Sequence, residues 1–353
     1  MVAETLEVLR SGGLVAFPTE TVYGLMVDAS NQETVERLYS LKGRDPAKAC
    51  SLLIGSAPEA LEHVTAFPPI ARRLAHHFWP GPLTLVVPGD RGEPIGFRLP
   101  DLELPRALAE AAEFPIIQTS ANQSSQPPAL DADSVATEFG EGVDLLLDGG
   151  ASPGGAGSTV VGCDQERLTI LRPGVIEEAR ILEAASEFLL LVCTGNLCRS
   201  PLAEALMRRQ LARRLGCAEE DLPRYGFRVA SCGTMAQAGI PATEHAISVG
   251  RELGVDISEH ASQRFRLETL RKARHVFGLS QSHLDFLASY FRSRPGDLRL
   301  LDPEGESIPD PYQRSLRFYR EVSEKVRVAC EARARELVPT PVATPDEAVP
   351  PAG

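Results

Sequence analysis

Short apolar runs alternate with amphipathic stretches along the chain, and their spacing assigns each to a strand or a helix. LVAFPTE (14–20) reads as a short strand stopped at Pro18. NQETVERLYSLKGR (31–44) opens on Asn31, a good N-cap, and places Val35, Leu38 and Leu41 at helical spacing. LTLVVP (83–88), PIIQTS (115–120) and STVV (158–161) read as strands. A strand-like LTILRP run (168–173) is followed by Gly174 and a charged, helix-like IEEARILEAASE (176–187). FLLLVC (188–193) then begins a fresh buried strand, and AEALMRRQLARRL (203–215) reads as an amphipathic helix. The alternation predicts an α/β architecture in both halves, and no repeat of 20–50 residues is visible. The expected division is one domain over 1–186, a second over 187–338, and a disordered tail over 339–353. That end, from Val338 on, has five prolines and no apolar periodicity.

Length agrees with two domains: 353 residues, at roughly 150 per domain. Charge separates the halves. Residues 1–186 hold 26 Asp+Glu against 13 Lys+Arg, whereas 187–353 hold 22 against 23. An acidic first half is a poor candidate for gripping a nucleic-acid backbone by itself. No apolar stretch reaches the roughly 18 residues of a membrane span. The start, MVAETLEVLR, lacks the basic and apolar regions of a secretory signal. Seven cysteines, an odd count, suit reduced thiols, so a cytoplasmic protein is expected.

The most specific local signal is FLLLV-CTGNLCRS-PLAEAL, a Cys-x5-Arg loop between a strand and a helix. A phosphate dianion needs a ring of backbone N–H donors, and a loop running into a helix N-terminus supplies one. Gly195 is expected to permit the tight backbone, and Pro201 to sit in the first helical turn. Arg199 can grip two phosphate oxygens at once. The same positive field favours the Cys193 thiolate, the nucleophilic form. Ser200 is placed to donate to that thiolate, and Asn196 to hold the loop. Asp310, in IPDPY (308–312), is the candidate general acid, with Tyr312 walling the entrance.

On VCTGNLCRSPLAEAL, ASCGT (230–234), GIPATEHAISVGRELGVDISEHASQ (239–263) and IPDPY, the second half resembles the low-molecular-weight protein tyrosine phosphatase family. The resemblance implies a flavodoxin-like parallel sheet flanked by helices and a mechanism without cofactor. Cys193 would be the nucleophile forming a phosphocysteine, Arg199 the phosphate binder and Asp310 the acid. Thr194, Gly195, Asn196, Leu197, Cys198 and Ser200 would complete the phosphate loop. Cys198 falls at the family position implicated in protecting the nucleophile by a disulfide. Leu197 stands where phosphoarginine phosphatases carry Thr, which with Tyr312 leans towards phosphotyrosine. Protein-arginine phosphatase and arsenate reductase are the alternatives; the second would need resolving thiols, and no later Cys pair follows Cys198.

In the first half, GGLVAFPTETVYGLMVD (12–28) puts hydroxyls and a carboxylate at the end of a buried strand, where α/β folds place ligands. Lys42 and Arg44 follow a helix. No Gly-x4-Gly-Lys-Ser/Thr loop occurs, so any nucleotide site is of another kind. Singly, these residues would also suit solvated helix ends, turn hydroxyls and salt-bridge partners. In order, PTETVYGL, LKGR, WPGPLTLV, FRLP, SAN, STVV and LRPG give residues 3–180 a resemblance to the YrdC-like threonylcarbamoyl-adenylate synthase family.

That resemblance implies an open, twisted α/β sheet around a positive cavity. It implies a reaction of L-threonine, bicarbonate and ATP giving threonylcarbamoyl-AMP and pyrophosphate. Partner transferases would pass the group to tRNA. Lys42, Arg44, Ser120, Asn122 and Arg172 would bind ATP; Thr19, Arg98, Thr119 and Ser158 would bind threonine. Arg98 suits a carboxylate, and the cations suit a departing pyrophosphate. Mg²⁺ is expected with ATP, held by substrate phosphates. The stretch after Lys48, KACSLLIG, lacks the Pro and His of some members, and Ser125 stands where Gly is common. The alternative for this half is another acyl-adenylate former or a double-stranded RNA-binding relative. The whole chain reads as a bifunctional fusion, a nucleotidyltransferase joined to a protein phosphatase, with no membrane association.

Overall fold

A computed structural model describes residues 1–153, 155–165, 167–290 and 297–340. The expected tail lies outside the described residues from 341 on. The chain divides into two compact units, one ending at Ala185 and the next beginning at Ser186. Both are α/β.

The first unit contains helices α1 (Val2–Arg10), α2 (Gln32–Lys42), α3 (Pro69–Phe78), α4 (Glu103–Ala111), α5 (Ala132–Phe139) and α6 (Glu178–Ala185). Its strands are β1 (Val15–Phe17), β2 (Gly24–Asp28), β3 (Ser51–Leu53), β4 (Leu83–Pro88), β5 (Pro94–Arg98), β6 (Ile116–Ser120), β7 (Leu145–Leu146), β8 (Thr159–Cys163) and β9 (Leu168–Arg172). They form one mixed sheet in the order β7-β1-β2-β6-β3-β5-β4-β8-β9. Three pairings are parallel, β1 with β7, β3 with β5 and β4 with β8, and the others antiparallel.

Asn31 caps α2 as the sequence predicts, its side chain accepting from Thr34 N. The helix stops at Lys42 because Gly43 turns left-handed (φ 56°), which leaves Arg44 outside it. Side-chain alternation decides what each strand faces. Leu83, Leu85 and Val87 of β4 join Phe97 of β5 and Val161 of β8 in a core closed by α3 and α6. The intervening Thr84, Val86, Gly96, Arg98 and Val160 face the other way and line a cavity.

The second unit is built from β10 (Glu187–Cys193), α7 (Arg199–Leu215), β11 (Phe227–Gly233), α8 (Glu244–Glu252), α9 (Leu267–Lys272), β12 (His275–Gly278), α10 (Gln281–Ala288), β13 (Asp297–Leu300) and α11 (Leu316–Leu337). The sheet runs β11-β10-β12-β13, all parallel. That is the 2-1-3-4 order of flavodoxin-like folds. Leu189 and Leu191 of β10 pack with α7 and α11, while Leu190 and Val192 pack with Leu270 of α9 and Leu287 of α10. Both sheet faces are covered, which explains an apolar run with no polar alternation. The C-terminal end of β10 lies where β11 and β12 diverge to either side, the position at which open parallel sheets hold ligands.

Candidate active sites

In the first unit, a cavity of about 540 Å³ lies over the sheet face just described. Thr19, Arg44, Arg98, Thr119, Ser120, Ser158 and Arg172 line it. A second cavity of about 540 Å³ is lined by Lys42, Arg44, Ser120, Asn122 and Arg172. All nine predicted residues, spread over more than 150 positions, therefore converge on two cavities that share Arg44, Ser120 and Arg172. Lys48 lines both as well and was missed. Its position four residues past Arg44 carried no helical or strand pattern to flag it.

Several of these side chains are already engaged. Lys42 is buried (2 % exposed), and its Nζ donates to the carbonyls of Ser120 (2.5 Å) and Asn122 (2.6 Å). Burial, and then the Arg44 charge, push its ammonium down to about 8. Lys42, expected to help bind ATP, thus braces the 120–122 turn beside the second cavity. Asn122 is likewise turned inward: its Nδ2 donates to the Gln123 and Gln126 carbonyls and its Oδ1 accepts from Ser120 Oγ. Thr19 Oγ1 donates to Val22 O (2.6 Å) and accepts from Thr21 N and Val22 N. Its hydroxyl is spent on shaping the PTETV turn. Arg44 donates to the Lys48 and Ala49 carbonyls, and Arg172 to Ser158 O and Oγ. Ser158 Oγ in turn meets Thr84 Oγ1 at 2.8 Å.

Arg98 is different. It is 3 % exposed and forms an ion pair with Glu20, yet its Nη1 and the Glu20 Oε2 are buried without a hydrogen-bond partner. Burial lowers the Arg98 guanidinium to about 10 against the opposing pull of Glu20. Arg98 lines the cavity, and Glu20 stands beside it as its counter-ion, each with a spare polar atom. Glu20 was noticed only as a carboxylate at the strand end, because its partner lies 78 residues away.

In the second unit, the phosphate loop closes around Cys193, which is 3 % exposed. Its Sγ accepts from Asn196 N (3.2 Å) and from Ser200 Oγ (3.0 Å). α7 begins at Arg199, four residues before the predicted stretch, so its first turn belongs to the loop. The left-handed residue is Asn196 (φ 55°), and Gly195 needs no positive φ, contrary to the expectation for that glycine. Asn196 holds this strained conformation through its amide. Nδ2 donates to Ser200 Oγ and Ser231 Oγ, both 2.8 Å, and Oδ1 accepts from Gln263 N at 2.6 Å. His260 Nε2 meets Asn196 O at 2.9 Å. Gly233 of the ASCGT motif lies so close to the loop that a Cβ there would stand 2.5 Å from Thr194 O.

Cys193, Thr194, Gly195, Leu197, Cys198, Arg199, Asp310 and Tyr312 line a cavity of about 270 Å³. Asn196 and Ser200 are fully buried behind it. Arg199 donates through Nη1 to Ile308 O (3.0 Å) and through Nη2 to Asp310 Oδ2 (2.5 Å), so the two candidate catalytic groups meet across 111 residues. Tyr312, half exposed, donates its N–H to Asp310 Oδ1. Cys198 Sγ meets Tyr319 OH (3.2 Å) and Thr243 Oγ1 (3.4 Å), and burial raises its thiol, so it stays protonated. His283, also missed, contacts Thr194 Oγ1 at 3.0 Å. Burial and the Arg199 charge push it down to about 4, which keeps the ring neutral.

Comparison with known proteins finds a match for each unit. The Sua5/YciO/YrdC family model, described as telomere recombination, matches residues 7–174. The low molecular weight phosphotyrosine protein phosphatase model matches residues 188–340. A threonylcarbamoyl-AMP synthase of Pyrococcus abyssi is 37 % identical over 175 residues, 47 % of this chain and 52 % of that protein. A putative threonylcarbamoyl-AMP synthase of Mycobacterium tuberculosis is 36 % identical over 188 residues, 50 % of this chain and 84 % of that one. The chain spans about half the length of the first curated relatives it matches. The solved low molecular weight protein tyrosine phosphatase from T. tengcongensis is 28 % identical, covering 43 % of this chain and 99 % of its own, with a TM-score of 0.38. The chain thus belongs, through its first unit, to the Sua5/YciO/YrdC family, which holds its threonylcarbamoyl-AMP synthase relatives, and its second unit matches the low molecular weight phosphotyrosine protein phosphatase model.

Proposed function

We propose that the chain is a bifunctional enzyme. The first unit makes threonylcarbamoyl-AMP and pyrophosphate from L-threonine, bicarbonate and ATP; the second hydrolyses phosphotyrosine in proteins. The observation that carries the first reading is the convergence of Arg44, Lys48, Arg98 and Arg172 on one cavity in an otherwise acidic unit. Arg44, Lys48 and Arg172 suit the triphosphate and the charge that builds on departing pyrophosphate. Arg98 would take the threonine carboxylate through the atom that now has no partner. Ser158 and Thr119 are left for the smaller polar groups. Among the described residues, no three His, Cys, Asp or Glu side chains converge as metal ligands. Mg²⁺ would come held by the ATP phosphates, where it neutralises their charge. Partner transferases would carry the threonylcarbamoyl group to tRNA. Seven cysteines, none of them in a disulfide, suit a cytoplasmic setting, and among the described residues no helix is long and apolar enough to cross a membrane.

In the second unit the Cys193 thiolate, held by Asn196 N–H and Ser200 Oγ, attacks phosphorus. The bond from phosphorus to the tyrosine oxygen breaks, and Asp310 supplies the proton that oxygen takes. Water then cleaves the phosphocysteine, returning thiolate and phosphate. Leu197 and Tyr312 line the pocket with apolar surface suited to an aryl ester.

Two assays test the pair of activities. Purified protein with Mg²⁺ should release pyrophosphate only when ATP, threonine and bicarbonate are all present; silence there sinks the synthase reading. Phosphotyrosine should be hydrolysed far faster than phosphoarginine, and the reverse order would reassign the second unit. Cys193→Ser should abolish phosphatase turnover and leave pyrophosphate release intact.

A further inference from the structure

We propose that Arg264, seconded by Arg266, selects phosphoprotein substrates that carry an acidic residue beside the phosphorylated one. The inference rests on the phosphatase reading of the second unit and adds the substrate class. It starts from charge. RFRLETLRKAR (264–274) has five cations and one acid, in a chain of net charge -12.

The backbone ties the start of this segment to the rim of the phosphate loop. Gln263 N donates to Asn196 Oδ1, Gly233 N to Gln263 O (2.9 Å), and Phe265 N to Gly233 O (2.9 Å). Arg264 forms an isolated parallel bridge with Gly233, which pairs with Cys193. Cys193, Gly233 and Arg264 therefore lie in one row across the sheet, and the outer two are separated by two strand spacings, about 10 Å. An extended peptide advances about 3.3 Å per residue. A side chain up to three positions from the phosphorylated residue comes within reach of Arg264.

Arg264 and Arg266 are exposed, and neither has an ion-pair partner among the described residues. Glu268, the acid in this segment, is engaged with Lys272 at 3.8 Å. Arg271, Lys272 and Arg274 run on to the start of β12, at the far end of the sheet from the loop, and take no part. Met235, 80 % exposed and anchored by its N–H to Thr194 O, adds an apolar contact on the turn after β11. Cations without partners on an anion-binding rim fit a carboxylate-bearing peptide and disfavour a basic one.

The test uses the full chain and phosphotyrosine peptides that differ only in flanks, Glu against Gln. The expected ratio of kcat/KM, acidic over neutral, is about fivefold at low salt and shrinks towards one in about 0.5 M NaCl. In Arg264→Gln with Arg266→Gln the ratio should fall to near one. A folding defect would lower both rates together and leave the ratio in place. A native ratio already near one, or a ratio unmoved in the double variant, overturns the inference while the phosphatase reading stands. Native protein inert towards a simple aryl phosphate overturns both.

Discussion

Replacing Asp310 by Asn should separate catalysis from anion binding, because its carboxylate is paired with the group that grips phosphate. Asp310 Oδ2 lies 2.5 Å from Arg199 Nη2, with Arg199 5 % and Asp310 48 % exposed. Removing the acid should lower kcat on an aryl phosphate by about 10²- to 10³-fold, the usual worth of a positioned proton donor. Affinity for anions should move the other way. A fully exposed ion pair contributes roughly 0.2–1 kcal/mol, and a hydrogen bond to a charged group about 1.5–3. Half-exposed Asp310 sits between, at about 1–2 kcal/mol. An incoming phosphate no longer has to displace that carboxylate or lie against its charge. The inhibition constant for inorganic phosphate should therefore fall roughly five- to thirtyfold. The assay is competitive inhibition of aryl phosphate hydrolysis, with direct calorimetry on Asp310→Asn should turnover be too slow. Phosphate binding equal to or weaker than that of the native protein would refute the reasoning, since the pair would then contribute nothing against anions.

Other outcomes follow from the same geometry. Arg98→Ala strands the buried Glu20 carboxylate and should destabilise the first unit by about 3–5 kcal/mol, whereas Arg98→Met with Glu20→Gln should recover much of it; separate melting of the two units would show this. Asn196→Ala combines a left-handed backbone with three lost side-chain bonds and should cost the second unit about 3 kcal/mol or more; an Ala variant as stable as native in urea would contradict it. His283 is held neutral, down to about 4, by burial and the Arg199 charge. The unfolded ring binds a proton at about 6.5, so the folded state keeps its full advantage above that pH. It loses about 3 kcal/mol as pH falls towards 4. His283→Gln should flatten this slope in urea unfolding across pH 4–7, and an unchanged slope would place the titration elsewhere.

What could be read from the sequence was local. Asn31 capping α2, the apolar runs of β4 and β10, and the Cys-x5-Arg loop are each set by residues within a turn or a strand. The nine predicted residues of the first unit came from motif order, and they do converge on its two cavities. Their individual duties did not show, because these depend on neighbours distant in sequence. Lys42 could not be seen to reach Ser120 O, 78 residues on, nor Arg98 to pair with Glu20. Gly195 drew attention as a glycine, whereas the left-handed position is Asn196. A non-glycine residue holds that conformation only with outside support, here from Ser231 on β11 and from Gln263. Met235 is an exposed large hydrophobic with no periodic pattern to announce it.

The strand order of the first unit has a consequence for how it is made. β1 waits for β7, β2 for β6 and β4 for β8, and five of the eight pairings join strands that are not consecutive in the chain. Such closures are slow, because chain entropy is lost before contacts repay it. The cavity draws on residues from Thr19 to Arg172 and cannot exist until almost the whole unit has been synthesised. Its ligands can bind only the finished sheet, and by binding they pull the last folding step forward. Abundant substrate would then act as a chaperone for the enzyme that consumes it.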